Sequence, residues 1–169
     1  MSSSEPLAPK VRNIDRQDWL HFVGVAGSGM SALAQFHALG GGRVTGSDRA
    51  FDRGQQSGMR AALSGLGVEI VPQDGGFAAA SRDGRTCAAV IASTAIEAKI
   101  PDLEAAAAAG LPVLHRSELL ARFVAAHRTI AITGTSGKST VTAMVFTILR
   151  DAGLQPGLLN GRALAAPIA

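Results

Sequence analysis

The chain has 169 residues, 47% of them hydrophobic and 17% charged, with 20 glycines, which suits one packed domain or slightly more. Net charge is +3, yet the arginines (Arg43, Arg49, Arg53, Arg60, Arg82, Arg85, Arg116, Arg122) are scattered, aromatics make up 4% and Tyr is absent, so a base-stacking nucleic-acid surface is excluded. Cys87 stands alone, which rules out an internal disulfide and, with no signal-type segment in Met1–Arg12 and no run near the roughly 18 apolar residues of a span, points to a cytoplasmic protein without a membrane partner.

In chain order, residues 1–15 are polar and are expected to form a disordered arm. Trp19–Val25 (WLHFVGV) reads as a buried strand. The glycine-rich turn Gly24–Gly29 leads into a helix with Met30, Leu33, Ala34 and Ala38 on its apolar face, stopped by Gly40–Gly42. Arg43–Gly46 is a second strand closing on Ser47-Asp48. A second helix carries Met59, Ala62, Leu63 and Leu66. Val68–Val71 is a third strand, and Gln73–Arg85 a loop with room for a short helix. Cys87–Ala92 is a fourth strand, followed by the polar turn Ser93-Thr94. Pro101 starts a helix with Asp102 and Glu104 in its first turn. Pro112–Leu114 is a fifth strand, and Ser117-Glu118 open a helix carrying Leu119, Leu120, Phe123 and Val124. Arg128–Ile132 is a further strand. It feeds Gly134-Thr135-Ser136-Gly137-Lys138-Ser139-Thr140 and a last helix with Val141, Met144, Val145, Ile148 and Leu149 on one face.

Alternation of apolar strands with helices predicts an α/β fold, a Rossmann-like parallel sheet with helices on both faces. Ligands of such sheets sit at the carboxyl ends of the strands. Gly24–Ser31, Ser47-Asp48, Ser93–Ile96, Arg116 and the second glycine loop all fall there. The first loop, G-x-x-G-x-G, followed 19 residues after Gly29 by Asp48, reads as a nucleotide or diphosphate site. The competing readings are glycines that serve only helix–sheet packing, and an Asp48 that only caps the next segment. The second loop is a partial match to G-x-x-x-x-G-K-[ST], with Ile132 in place of the first glycine. Its strand-to-helix setting lets Lys138 reach a β- or γ-phosphate and Ser139 face Mg²⁺. The alternative is an ordinary βα turn with a surface lysine. His21, His37, His115 and His127 are read as structural or surface groups. Met30 is weighed as helix-start packing against ligand contact.

The run His21–Ser31 (HFVGVAGSGMS) resembles the opening of the Mur ligases. Thr45–Asp48, Ser93–Ile96, Gly110–Leu114, Arg116–Leu120 and Thr133–Thr140 follow in that family's order. The family's ATP loop also lacks a glycine at the position of Ile132, and the likeness is greatest to its alanine-adding members. The resemblance covers Trp19 to Gly161 and implies a UDP-substrate domain (16–127), with 128–169 as the first strand, loop and helix of a P-loop ATPase domain. The reaction implied is ATP-dependent ligation of an amino acid or peptide to the carboxylate of UDP-N-acetylmuramate, or a related UDP-sugar, through an acyl phosphate. Gly27, Ser28, Gly29, Met30 and Ser31 would face the UDP diphosphate, and Asp48, Ser93, Thr94, Ala95 and Arg116 would line the nucleotide pocket. Gly134, Thr135, Ser136, Gly137, Lys138, Ser139 and Thr140 would bind ATP, with Lys138 as the catalytic cation and Ser139 and Thr140 facing Mg²⁺. The amino acid or peptide would be bound by domains beyond this chain, which alone would not ligate.

The alternatives are a tripeptide-recycling or other Mur-like ligase and a non-catalytic nucleotide-binding module. An NAD-dependent oxidoreductase is disfavoured by the glycine order and the second loop. Without the rest of its sheet, the segment from Thr140 onward is expected to be disordered, to pack on the first domain, or to be covered by a second chain as an oligomer contact.

Overall fold

The computed structural model of the chain describes residues 14–79, 85–93 and 100–160. Its centre is a five-stranded, all-parallel sheet in the order β3-β2-β1-β4-β5. The strands are β1 (Trp19–Val23), β2 (Arg43–Ser47), β3 (Val68–Ile70), β4 (Ala89–Ala92) and β5 (Val113–His115). Every residue of β1 is buried, because the strand lies mid-sheet with both faces covered. Around the sheet lie α1 (Ser28–Leu39), α2 (Arg49–Asp52), α3 (Ser57–Gly65), α4 (Pro101–Ala108), α5 (Arg116–Ala125), α6 (Lys138–Asp151) and a short 3-10 turn, Gly76–Ala79.

The side-chain period of two divides β1 between two cores. Leu20 and Phe22 join Leu33 of α1, Leu63 of α3 and Leu119 of α5 on one face. Trp19 and Val23 join Phe77, Ile100 and Ala106 of α4 on the other. Expected and observed elements agree in order. The exceptions are α2, which no periodicity announced, the start of α5, where His115 rather than Ser117 is the cap, and the last expected strand, Arg128–Ile132. His115 N–H donates to Glu118 Oε2 at 3.2 Å and Ser117 N–H to His115 Nδ1 at 3.3 Å, a capping box. The expected arm lies outside the described residues except for its last two, of which Ile14 packs against the larger core.

Close packing at the sheet centre yields a direct test. A Cβ built on Gly46 of β2 would stand 2.9 Å from Val25 Cβ, a branched side chain with no room to yield. Gly46→Ala is expected to cost about 1–3 kcal/mol of stability through overpacking. A urea midpoint equal to that of the unaltered chain contradicts this contact.

The strand expected over Arg128–Ile132 is not formed. A strand exists by pairing its N–H and C=O groups, and among the described residues no strand lies beside this one. Ile130 is accordingly 62% exposed. α6 forms nonetheless, with none of its residues buried, and Met144 and Ile148 are 60% and 66% exposed. Val145, Phe146 and Leu149 are half-buried. They face Leu33, Phe36 and Phe123 across a cavity of about 730 Å³. Past the helix, Leu158 is buried and Leu159 packs on the larger core. Within the described part of this segment, Leu158 and Leu159 are thus the residues that meet the sheet's cores, while α6 stays largely exposed.

Candidate functional site

The first glycine loop leaves the carboxyl end of β1 and is fastened to the end of β2. Gly24 N–H and Val25 N–H donate to the Ser47 carbonyl at 2.8 and 3.0 Å. Asp48 accepts from Ala26 N–H through Oδ2 and from Ala50 N–H through Oδ1, each at 2.9 Å. Both oxygens are therefore committed to backbone, one holding the loop and the other capping α2, so the capping role is present whatever else Asp48 does. Gly27 and Ser28 are exposed and Gly29 is half-buried. The Arg116 guanidinium lies where a Cβ on Gly29 would stand. The glycine thus admits a cation from α5 to the first turn of α1. That turn carries no acidic residue and no side-chain cap, whereas α2, α4 and α5 each have a carboxylate in the first turn. A helix start with no side-chain cap, its dipole and a guanidinium therefore meet at this turn, chemistry that suits an anion.

The remaining expected residues are placed as follows. Met30 is buried in the larger core, which satisfies its packing role. Ser31 is buried and its Oγ donates to the Ser28 carbonyl at 3.1 Å. Ser93 is half-buried just past β4, while Thr94 and Ala95 lie outside the described residues.

In the second loop Gly137 adopts φ 75° and immediately precedes α6, a left-handed turn that favours glycine. Lys138 Nζ donates to the Gly134 carbonyl at 2.5 Å and the Thr135 carbonyl at 3.4 Å, so its ammonium folds over the loop it belongs to. Ser139 Oγ donates to Asn160 Oδ1 at 3.2 Å, and Thr140 is exposed. α6, like α1, opens without an acidic residue or a side-chain cap. The donor set fits phosphate oxygens: an ammonium, a hydroxyl and helix-start N–H groups with no carboxylate to oppose them. Among the described residues no group of three His, Cys, Asp or Glu side chains is placed to hold a metal ion, so a cation here would lean on hydroxyl and phosphate oxygens.

Sequence reasoning missed a buried polar cluster beneath the first loop. His21 and Asp102 are both 0% exposed. His21 Nε2 lies 3.2 Å from Asp102 Oδ2 and Nδ1 2.8 Å from Thr45 Oγ1, which also accepts from Trp19 Nε1 at 2.9 Å. The Asp102 carboxylate can only accept, so Nε2 carries the proton given to it, and with the ring neutral Nδ1 accepts from the Thr45 hydroxyl. Ser47 Oγ donates to Asp102 Oδ2, and Gly75 N–H to Oδ1 at 2.8 Å. The ring stacks on Phe77, centroids 3.7 Å apart. Burial pushes the His21 pKa below its ordinary value, against the pull of Asp102. Burial alone would raise that of Asp102, but hydrogen bonds from His21, Ser47 and Gly75 together hold it below the usual carboxylate value. The period-two placement of His21, Thr45 and Ser47 on one sheet face was readable, whereas Asp102, distant in sequence, looked like a helix-start carboxylate. Burial also pushes the Cys87 thiol up to about 11, which leaves it unreactive near neutrality.

A family model described as Mur ligase family, catalytic domain, matches residues 19–128. The UDP-N-acetylmuramate--L-alanine ligase of Arthrobacter sp. (strain FB24) is 44% identical over 151 residues, 89% of this chain and 30% of that protein. The protein of the same name from Frankia casuarinae is 42% identical over 148 residues, 86% of this chain and 28% of that protein. The chain thus spans about 30% of the length of these curated relatives. Among solved structures, the UDP-N-acetylmuramate:L-alanyl-gamma-D-glutamyl-meso-diaminopimelate ligase of Neisseria meningitides superposes with a TM-score of 0.69 at 27% identity, covering 87% of this chain and 44% of that one. A murein peptide ligase from Psychrobacter arcticus gives a TM-score of 0.67 at 28% identity, over 83% of this chain and 28% of that one. With the matched segment running from β1 past α5, this chain belongs to the Mur ligase family.

Proposed function

We propose that residues 16–127 bind the uridine diphosphate part of a UDP-N-acetylmuramate-type substrate, and that 128–169 begin the ATPase domain of a cytoplasmic, ATP-dependent ligase. The observation that carries this reading is the Arg116 guanidinium against Gly29 at the uncapped start of α1, on the carboxyl edge of a parallel sheet. Gly27, Ser28 and Gly29 would offer N–H groups to the diphosphate while Arg116 neutralises it. Ser93, with Thr94 and Ala95, would border the nucleoside, and Asp48 would hold the loop in shape. Lys138 would leave its loop carbonyls for the β/γ-phosphates of ATP, with Ser139 and Thr140 toward Mg²⁺. Bound ATP would supply the phosphoryl group that activates a carboxylate for amide formation, and Mg²⁺ would balance its charge. The chain's own part is to place the substrate and balance phosphate charge.

Calorimetric titration with UDP, UDP-N-acetylmuramate and NADH tests this reading. Saturable heat with both uridine ligands and none with NADH is expected. Absence of heat and of any thermal shift at millimolar uridine ligand overturns it.

A further inference from the structure

Three segments that border the candidate site meet at one buried carboxylate. Asp102 stands in the first turn of α4, just past the β4–α4 connection that starts at Ser93. One of its oxygens accepts from both Ser47 of β2 and His21 of β1. Its other oxygen accepts from Gly75 N–H between β3 and α4. Ser47 is a junction in its own right. Its carbonyl takes the N–H groups of Gly24 and Val25, and the next residue, Asp48, takes that of Ala26. The hydroxyl of Ser47 is thus a short link between the clasp of the glycine loop and the helix that follows Ser93.

We propose that Asp102 is a positioning residue for this site: through Ser47 and His21 it ties β1 and the exit of β2 to the start of α4 in the arrangement that receives a nucleoside diphosphate. The proposal rests on the uridine diphosphate reading and adds to it a residue that touches no ligand. The cluster is suited to the task because its polar groups are paired among themselves. His21 spends one nitrogen on Thr45 and the other on Asp102, and Asp102 receives three donors. A satisfied buried network admits one geometry, whereas apolar side chains of similar size would tolerate several. Among the described residues its further contacts include the Gln73 amide, which donates to Ser47 Oγ at 3.5 Å, the Phe77 ring on His21 and, near the His21 backbone, the neutral Cys87 thiol.

Ser47→Ala removes the link and leaves the His21–Asp102 pair intact, and Asp102→Asn alters the acceptor itself. Both are measured well below their melting temperatures, by UDP titration and by the amide resonances of Ala26 and Ala50, the two donors to Asp48. UDP affinity is expected to fall about tenfold in Ser47→Ala, with the Ala26 resonance displaced before ligand is added, and at least as far in Asp102→Asn. A purely stabilising role would lower the melting temperature and leave both readouts of the folded chain unmoved. Full UDP affinity in Ser47→Ala therefore overturns the proposal, whether or not the resonances move. If the unaltered chain fails to bind UDP, the uridine diphosphate reading falls and takes this inference with it. Equal binding by both chains removes only the inference.

Discussion

Replacing His21 with leucine is expected to lower the unfolding free energy by about 1.5–3 kcal/mol, because it removes one of the three hydrogen-bond donors to a buried carboxylate. Asp102 is 0% exposed. His21 is its only imidazole partner among the described residues, and Ser47 and Gly75 remain as donors. A loss of that size is a large part of the roughly 5–15 kcal/mol that holds a domain together. Urea denaturation at pH 7.5 measures it. The double change His21→Leu/Asp102→Leu should recover much of the loss, since an apolar pair is cheaper to bury than a carboxylate short of a donor. A single variant as stable as the unaltered chain would refute the pairing. The pH dependence follows from the same burial. The folded chain keeps His21 neutral below the ordinary value of 6.5, while the unfolded chain takes up a proton there. Stability is therefore fully present above pH 6.5, declines as pH falls below it, and levels off beneath the lowered pKa of the folded state. His37, also lowered by burial, adds a decline of the same sign. The His21→Leu variant should retain only the His37 part of this slope.

The Gly29→Asp variant is expected to bind UDP more than 100-fold more weakly, about 2.7 kcal/mol, with its melting temperature equal or raised. The position lies in the first turn of α1 at ordinary helical φ, where a carboxylate favours the helix dipole. The new Cβ would occupy the space of the Arg116 guanidinium. Its carboxylate would pair with that cation and repel a diphosphate from the same position. Calorimetry and thermal denaturation on one preparation separate the two effects. Undiminished UDP affinity would place the diphosphate somewhere other than the start of α1.

Most of the sheet could be read in the chain because hydrophobic period and glycine punctuation are local signals. The largely apolar run of β1, the apolar run of β4, the Gly40–Gly42 stop and Pro101 at the start of α4 each declare themselves within a few residues. α2 is only four residues long, too short for a period to register. Arg128–Ile132 shows the opposite failure. Its composition is that of a strand, but strand formation needs a neighbour, and none stands beside it among the described residues.

The candidate site divides along the same line. The sequence by itself determined the two glycine loops, Lys138, and the positions at strand ends where a ligand would sit, because spacing along the chain sets backbone turns and helix starts. Tertiary structure alone decided that Arg116 reaches across to Gly29, that Asp48 spends both oxygens on backbone, and that Asp102 turns inward to His21 and Ser47. Those are encounters between residues far apart in the chain. They depend on which helix covers which face of the sheet, and the order β3-β2-β1-β4-β5 sets that only once the strands have paired.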